Sequence, residues 1–169
     1  MASTTGEVRR ILISEPRSGL AVPFVLLDQD APFACEALWR LAAASRSWAG
    51  LHAMWTGPEI SCPIALEHLP EGIDLSAWPH ENETSHPRAG DLVLTPIAAG
   101  PPSPTTPFLR GGLDLGLFYG PGGRLFFPTG WLQGTVCAKI DPAHAKALTH
   151  GARLIRQSGA CQLTIEQIQ

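Results

Sequence analysis

Short apolar runs, each cut off by glycine or proline, limit this chain to a fold built mainly of strands. It holds 17 glycines and 16 prolines in 169 residues, and turn residues at this density leave most apolar runs at strand length. Val8 to Ser14, Leu20 to Leu27, Gly50 to Gly57, Glu59 to Ile64, Leu92 to Thr95, Leu113 to Tyr119 and Cys161 to Ile165 read as strands. So does the run after Trp131 that ends at Ile140, and Arg124 to Phe127 is short and strand-like. Two stretches have helical spacing instead. Phe33, Ala37, Leu38, Leu41 and Ala42 give one helix up to about Ser45, with Asp30 as its N-cap and Pro32 in its first turn. Ala143, Ala147, Leu148, Ala152, Leu154 and Ile155 give a second from Asp141 to Gln157, ended by Gly159. About eight strands joined by many short turns suit a mostly antiparallel sheet. Such a sheet closes into an eight-stranded barrel, with the two helices plugging its ends. A barrel of this size fills its own interior, so a ligand is expected on its outside or at its mouth.

The length fits one domain over residues 1–169. Ala65 to Pro87 is a long connection of the kind that often carries function, and the proline-rich segment 101–107 reads as a semi-rigid surface loop. The net charge is −3 with no clustered basic face, so no nucleic-acid partner is expected. No apolar run reaches membrane-spanning length and the first residues lack a secretory pattern, which points to a cytoplasmic location without membrane association. The four cysteines, Cys35, Cys62, Cys137 and Cys161, have no C-x-x-C spacing and read as reduced core residues.

Aromatic and polar residues give the candidate chemistry. Trp131 stands in a turn between Gly130 and Gly134, where no neighbouring side chain shields it. Trp55, Trp131 and Trp78 come from separate segments, and on one side of a barrel they would suit a flat aromatic or heterocyclic ligand. Glu81-Asn82 lies in a polar loop. In an apolar cleft Glu81 becomes a general acid or base near neutral pH while the amide orients the substrate; otherwise it caps its loop. His52 is either a proton carrier or a satisfied buried histidine. Arg124, presented after Gly122-Gly123, suits a carboxylate clamp, and Tyr119 suits a hydrogen-bond donor to a ligand or a core position. His80, Glu81, Glu83 and His86 share one loop without metal-ligand spacing, so neither a metal nor another cofactor is expected.

Several local motifs resemble cyclophilins. The hairpin before Asp30-Ala31-Pro32 and its helix, the Leu51-His52 pair, the Trp131-Leu132-Gln133-Gly134 turn with the strand to Lys139-Ile140, and the final helix and strand all align with that family. The resemblance implies a cyclophilin-like barrel. It does not carry the catalytic residues: Ala53 stands where the family's arginine follows the histidine, and Val136 falls where it has a second histidine. A second resemblance is to a bacterial cyclophilin-like family whose general activity is not established. It rests on His52-Ala53-Met54-Trp55-Thr56-Gly57, on Glu81-Asn82-Glu83-Thr84 with Pro87 and Gly90-Asp91, and on Tyr119-Gly120 with Arg124. Together these imply catalysis by Glu81 and His52. Trp55, Asn82, Thr84, Tyr119, Arg124, Trp131 and Gln133 are then the substrate-binding residues.

The expected function is cofactor-free acid/base chemistry on an aromatic or heterocyclic small molecule. Condensation or cyclisation of the Pictet–Spengler type and hydrolysis or isomerisation of a cyclic amide both fit. The alternative is a non-catalytic module that binds a metabolite or peptide, and prolyl isomerisation ranks last. Assembly into a homo-oligomer is left open.

Overall fold

The computed structural model describes residues 8–98 and 111–168; the proline segment 101–107 and the first seven residues lie outside that range. The first half holds β1 (Arg10–Glu15), β2 (Leu20–Leu26), α1 (Pro32–Ala43), β3 (Ser47–His52), β4 (Glu59–Ala65), β5 (Glu83–Thr84) and β6 (Asp91–Ile97). The second half holds β7 (Gly112–Phe118), β8 (Phe126–Phe127), β9 (Gly130–Trp131), β10 (Gly134–Ile140), α2 (Ala145–Ser158) and β11 (Ala160–Ile168).

Eight of these strands run β2-β1-β11-β3-β4-β7-β6-β10, and β10 pairs back onto β2. Every pairing is antiparallel, so the sheet closes with no free edge in the ring. This is the closed, mainly β barrel with two helices that the cyclophilin resemblance implied. β5 adds two residues beside the start of β10, and β8 and β9 form a separate two-stranded hairpin.

The strands alternate as half-buried sequences should, and their inward residues fill the barrel. Ile11, Ile13, Val22, Phe24, Ile60, Ile64, Leu92, Leu94, Leu115 and Ile165 are buried in one continuous apolar cluster. Leu38 and Leu41 of α1 and Leu148, Ala152 and Ile155 of α2 join that same cluster, so both helices lay their apolar sides on the barrel core. All four cysteines are buried free thiols. A second, smaller cluster of Val93, Phe118, Leu125 and Val136 lies on strand faces that alternate with the first. It exists because the 125–132 segment packs over the outside of β6, β7 and β10. Every residue of β7 is buried, on both faces of the strand.

Two local expectations need correction. The N-cap of α1 is Ala31, not Asp30, and it has no side-chain hydrogen bond of its own; the cap arrives from Glu81. The strand expected over 50–57 ends at His52, so Trp55 lies in a turn. The turn packs tightly against the 120–124 segment. Gly57 has φ +91°, and a Cβ there would stand 2.7 Å from the Gly122 carbonyl oxygen.

Candidate functional site

The β4–β7 pair builds the site. Its register sets Glu59 opposite Phe118, Ser61 opposite Gly116 and Pro63 opposite Asp114. Side chains alternate along a strand, so while Ile60, Cys62, Ile64, Leu113, Leu115 and Leu117 fill the barrel, these six face outward. The 53–57 turn and the β8–β9 hairpin cover part of this outer face and leave a cavity of about 230 Å³. Its walls are largely apolar, with Ala53, Met54, Trp55, Ile64, Phe127 and Leu132 among them. Its two ionisable side chains, among the described residues, are Glu59 and Asp114.

Both carboxyl groups are withdrawn from solvent, with Glu59 1% and Asp114 6% exposed. Thr56 Oγ1 donates to Glu59 Oε2, and Ser61 Oγ donates to Asp114 Oδ1 at 2.6 Å. Glu59 Oε1 is buried and, among the described residues, has no hydrogen-bond partner. Gly116 makes the room for it, since a Cβ at that position would collide with Oε1. Burial, and then the neighbouring Asp114, push Glu59 up to about 8, against the opposing hydrogen bond from Thr56. Burial likewise raises Asp114 to about 6, against the hydrogen bond from Ser61. Two like charges in an apolar wall oppose each other's ionisation, so near neutral pH the pair favours holding one proton. An acid and a base then line the same largely apolar cavity.

Of the residues singled out in the sequence, Trp55 lines this cavity, 39% exposed at its rim. The others stand elsewhere. The Glu81 carboxylate accepts from Phe33 N at 3.1 Å and Ala34 N at 3.2 Å, which satisfies the free donors at the start of α1. This is the loop-capping alternative in a longer-range form: the carboxylate caps a helix 48 residues away in sequence. Asn82 Nδ2 donates to the Val136 carbonyl at 2.8 Å, and its backbone oxygen accepts from Val136 N at 3.1 Å. Thr84 Oγ1 accepts from His86 N at 3.0 Å. The Glu-Asn-x-Thr block thus pins its loop to α1 and β10.

The His52 ring nitrogen Nε2 lies 2.7 Å from the Tyr119 hydroxyl, and burial lowers the histidine's pKa. Tyr119 is buried, and its carbonyl accepts from Thr149 of α2 at 3.3 Å. Arg124 is exposed and donates to the Gly122 carbonyl at 3.5 Å. Gln133 is exposed in the chain's Trp turn. Trp131 is 56% exposed and packs on Phe126 at 5.0 Å and His86 at 5.1 Å between ring centres. Trp78 donates through Nε1 to Thr135 Oγ1 at 3.0 Å and meets Phe33 edge-on. Among the described residues none of these three indoles stacks on another, and of the three Trp55 alone lines the cavity.

Sequence reasoning passed over Glu59, Ser61, Asp114 and Gly116. One signal was there: Leu113-Asp114-Leu115-Gly116-Leu117 sets an aspartate and a glycine in the middle of an otherwise apolar strand. Both residue types are depleted in strands.

Solved structures with the same overall fold include McbB in complex with tryptophan. That structure is 16% identical, with a TM-score of 0.63 over 92% of this chain and 44% of the McbB chain. This chain therefore spans less than half of McbB. The hypothetical protein AF2241 from Archaeoglobus fulgidus is 12% identical, with a TM-score of 0.50 over 99% of this chain and 100% of that one. A cyclophilin-type peptidyl-prolyl cis-trans isomerase from Cryptosporidium parvum is 13% identical, with a TM-score of 0.48 over 96% and 99% of the two chains. No curated protein matches the sequence. The family model described as a protein of unknown function, DUF3830, matches residues 13–167, and the chain belongs to that family.

Proposed function

We propose that the cavity on the outer face of β4 and β7 binds a small aromatic or heterocyclic molecule and performs acid/base chemistry on it. Glu59 and Asp114 are the proton donor and acceptor. The carrying observation is the pair itself: two buried carboxyls, both raised, in a largely apolar cavity. Keeping such groups out of water weighs against stability, and perturbed carboxyls in a cleft are the arrangement that proton-transfer sites use. Trp55 and Phe127 offer flat apolar surface to a ring. The tryptophan bound by McbB, a protein of similar fold, supports an aromatic ligand. A cavity of about 230 Å³ suits a molecule of one or two fused rings.

With Glu59 protonated and Asp114 ionised, the site can give a proton to one atom of a substrate and take one from another. Ring closure by condensation of the Pictet–Spengler type, and hydrolysis or isomerisation of a cyclic amide, are both proton-transfer reactions of this kind. Neither requires a cofactor. Prolyl isomerisation is disfavoured because Ala53 lines the cavity, where a methyl group offers no donor to a prolyl carbonyl. The test is to incubate the protein with pools of aromatic amines, carbonyl compounds and cyclic amides, and to follow products by mass spectrometry. Turnover in the wild type that falls at least about a hundredfold in Glu59→Gln and Asp114→Asn is the expected result. Full turnover in both variants overturns the assignment. A ligand recovered unchanged from the wild type moves the protein to the non-catalytic binding module.

A further inference from the structure

We infer that the cavity selects a protonated aromatic or heterocyclic amine that carries no carboxylate beside the amine. This rests on the reading of the outer-face cavity as the ligand site and narrows the ligand within it.

The charge of the lining carries the argument. Glu59 comes from β4 and Asp114 from β7, and among the described residues no lysine, arginine or histidine joins them in the wall. The 53–57 turn contributes Ala53, Met54, Trp55 and Thr56, and the hairpin contributes Phe127, Pro128, Thr129 and Leu132, none of them charged. Arg124, next to the hairpin, is exposed and directs its guanidinium to the Gly122 carbonyl. Among the described residues, then, the only charge that an ion entering this cavity meets is negative.

Hydrogen bonding points the same way. The Thr56 and Ser61 hydroxyls, which flank the pair, already donate to it. Among the described residues Glu59 Oε1 accepts nothing, and it is enclosed. With both flanking hydroxyls committed to it, the carboxyl pair is complemented by a ligand that brings N–H donors and positive charge. An ammonium group supplies up to three donors and a compensating charge, in surroundings of low dielectric where that charge counts most. A carboxylate would bring repulsion and no donor. An α-amino acid brings both groups into the same small volume, so the decarboxylated amine is the better fit.

A further consequence concerns protons. A cation beside the pair favours its ionised form, so binding near neutral pH should release protons to the buffer.

Calorimetry on the full chain with four probes tests this: tryptamine, neutral 3-ethylindole, indole-3-propionate and tryptophan. Tryptophan is the informative competitor, because it keeps the ring and amine and adds the carboxylate. Tryptamine should bind at least about tenfold tighter than each of the other three, with an apparent enthalpy that changes with the buffer's own ionisation enthalpy. In Glu59→Gln/Asp114→Asn the preference for tryptamine should vanish while 3-ethylindole still binds, which also reports that the cavity has formed. Asp114→Asn alone carries the same expectation should the double variant not fold. If 3-ethylindole, indole-3-propionate or tryptophan binds as tightly as tryptamine, or if the preference survives in the variants, amine selection is overturned while the cavity reading stands. If none of the four binds, both fall.

Discussion

The inner and outer faces of the β4–β7 pair are made of the same two strands, one residue apart, and have opposite chemistry. Inside, Ile60, Cys62, Ile64, Leu113, Leu115 and Leu117 are buried against apolar neighbours from the whole barrel. Outside, Glu59, Ser61, Asp114 and Gly116 are buried too, yet they hold two carboxyls, a hydroxyl and a glycine. Burial alone does not mark core. On the inner face burial removes apolar surface from water and stabilises the barrel. On the outer face it withdraws charge from water and destabilises it.

The comparison breaks first on the inner face. Leu115→Ala opens a hole in the barrel core and should cost about 2–5 kcal/mol, read as a lowered denaturant midpoint at unchanged slope. On the outer face the sign reverses. Glu59 is raised from the ordinary carboxylate range to about 8. A group raised on folding contributes stability that is whole below its unfolded pKa and is lost as pH climbs through the folded value. Wild-type stability should therefore fall between about pH 4 and the folded value, and Glu59→Gln should remove much of that fall. The variant is then the more stable protein at alkaline pH by a few kcal/mol, because each tenfold difference in proton affinity between the folded and unfolded chain is worth about 1.4 kcal/mol. A wild type and variant with parallel pH profiles would place Glu59 among ordinary surface carboxylates.

Gly116→Ala sharpens the contrast without touching a charge. Its methyl group would meet Glu59 Oε1 and the ring of Phe118, so the carboxyl must move. A cost of about 1–3 kcal/mol is expected, together with loss of the ligand preference that the carboxyl pair confers. The smallest effect belongs to Glu81→Gln. It weakens the charged cap on α1 and should lower stability by about 1 kcal/mol, with cavity binding unchanged. A large loss of turnover in Glu81→Gln at wild-type stability would return Glu81 to the catalytic role read from its loop.

Much of the fold was legible because the barrel follows local rules. Apolar alternation located the strands, and Gly159, with φ +79°, ends α2 where the sequence placed the stop. Barrel closure was inferred from strand count, and the pairing of β10 with β2 supplies it. The site was less legible, for two physical reasons. Glu81 and Asn82 look like chemistry in a polar loop, but their partners are backbone groups of α1 and β10 that only the folded chain brings near. Glu59 opens a strand and looks like an exposed end. Its burial comes from the 53–57 turn and from the β8–β9 hairpin, which lies far along the chain, and no local pattern announces that cover. Trp55 was recognised by its large ring, although the sequence placed it in a strand rather than a turn; Gly116 was missed because its role is the space it leaves for another side chain.

Burial, and then the charge of Asp114, hold Glu59 protonated near neutral pH. Infrared difference spectroscopy across a pH titration reads this directly, through the carbonyl band of a protonated carboxylic acid. Such a band is expected in the wild type at neutral pH, disappearing as pH rises through about 8 and absent from Glu59→Gln. A wild-type spectrum with every carboxyl ionised at neutral pH, identical in its titration to that of Glu59→Gln, would contradict it.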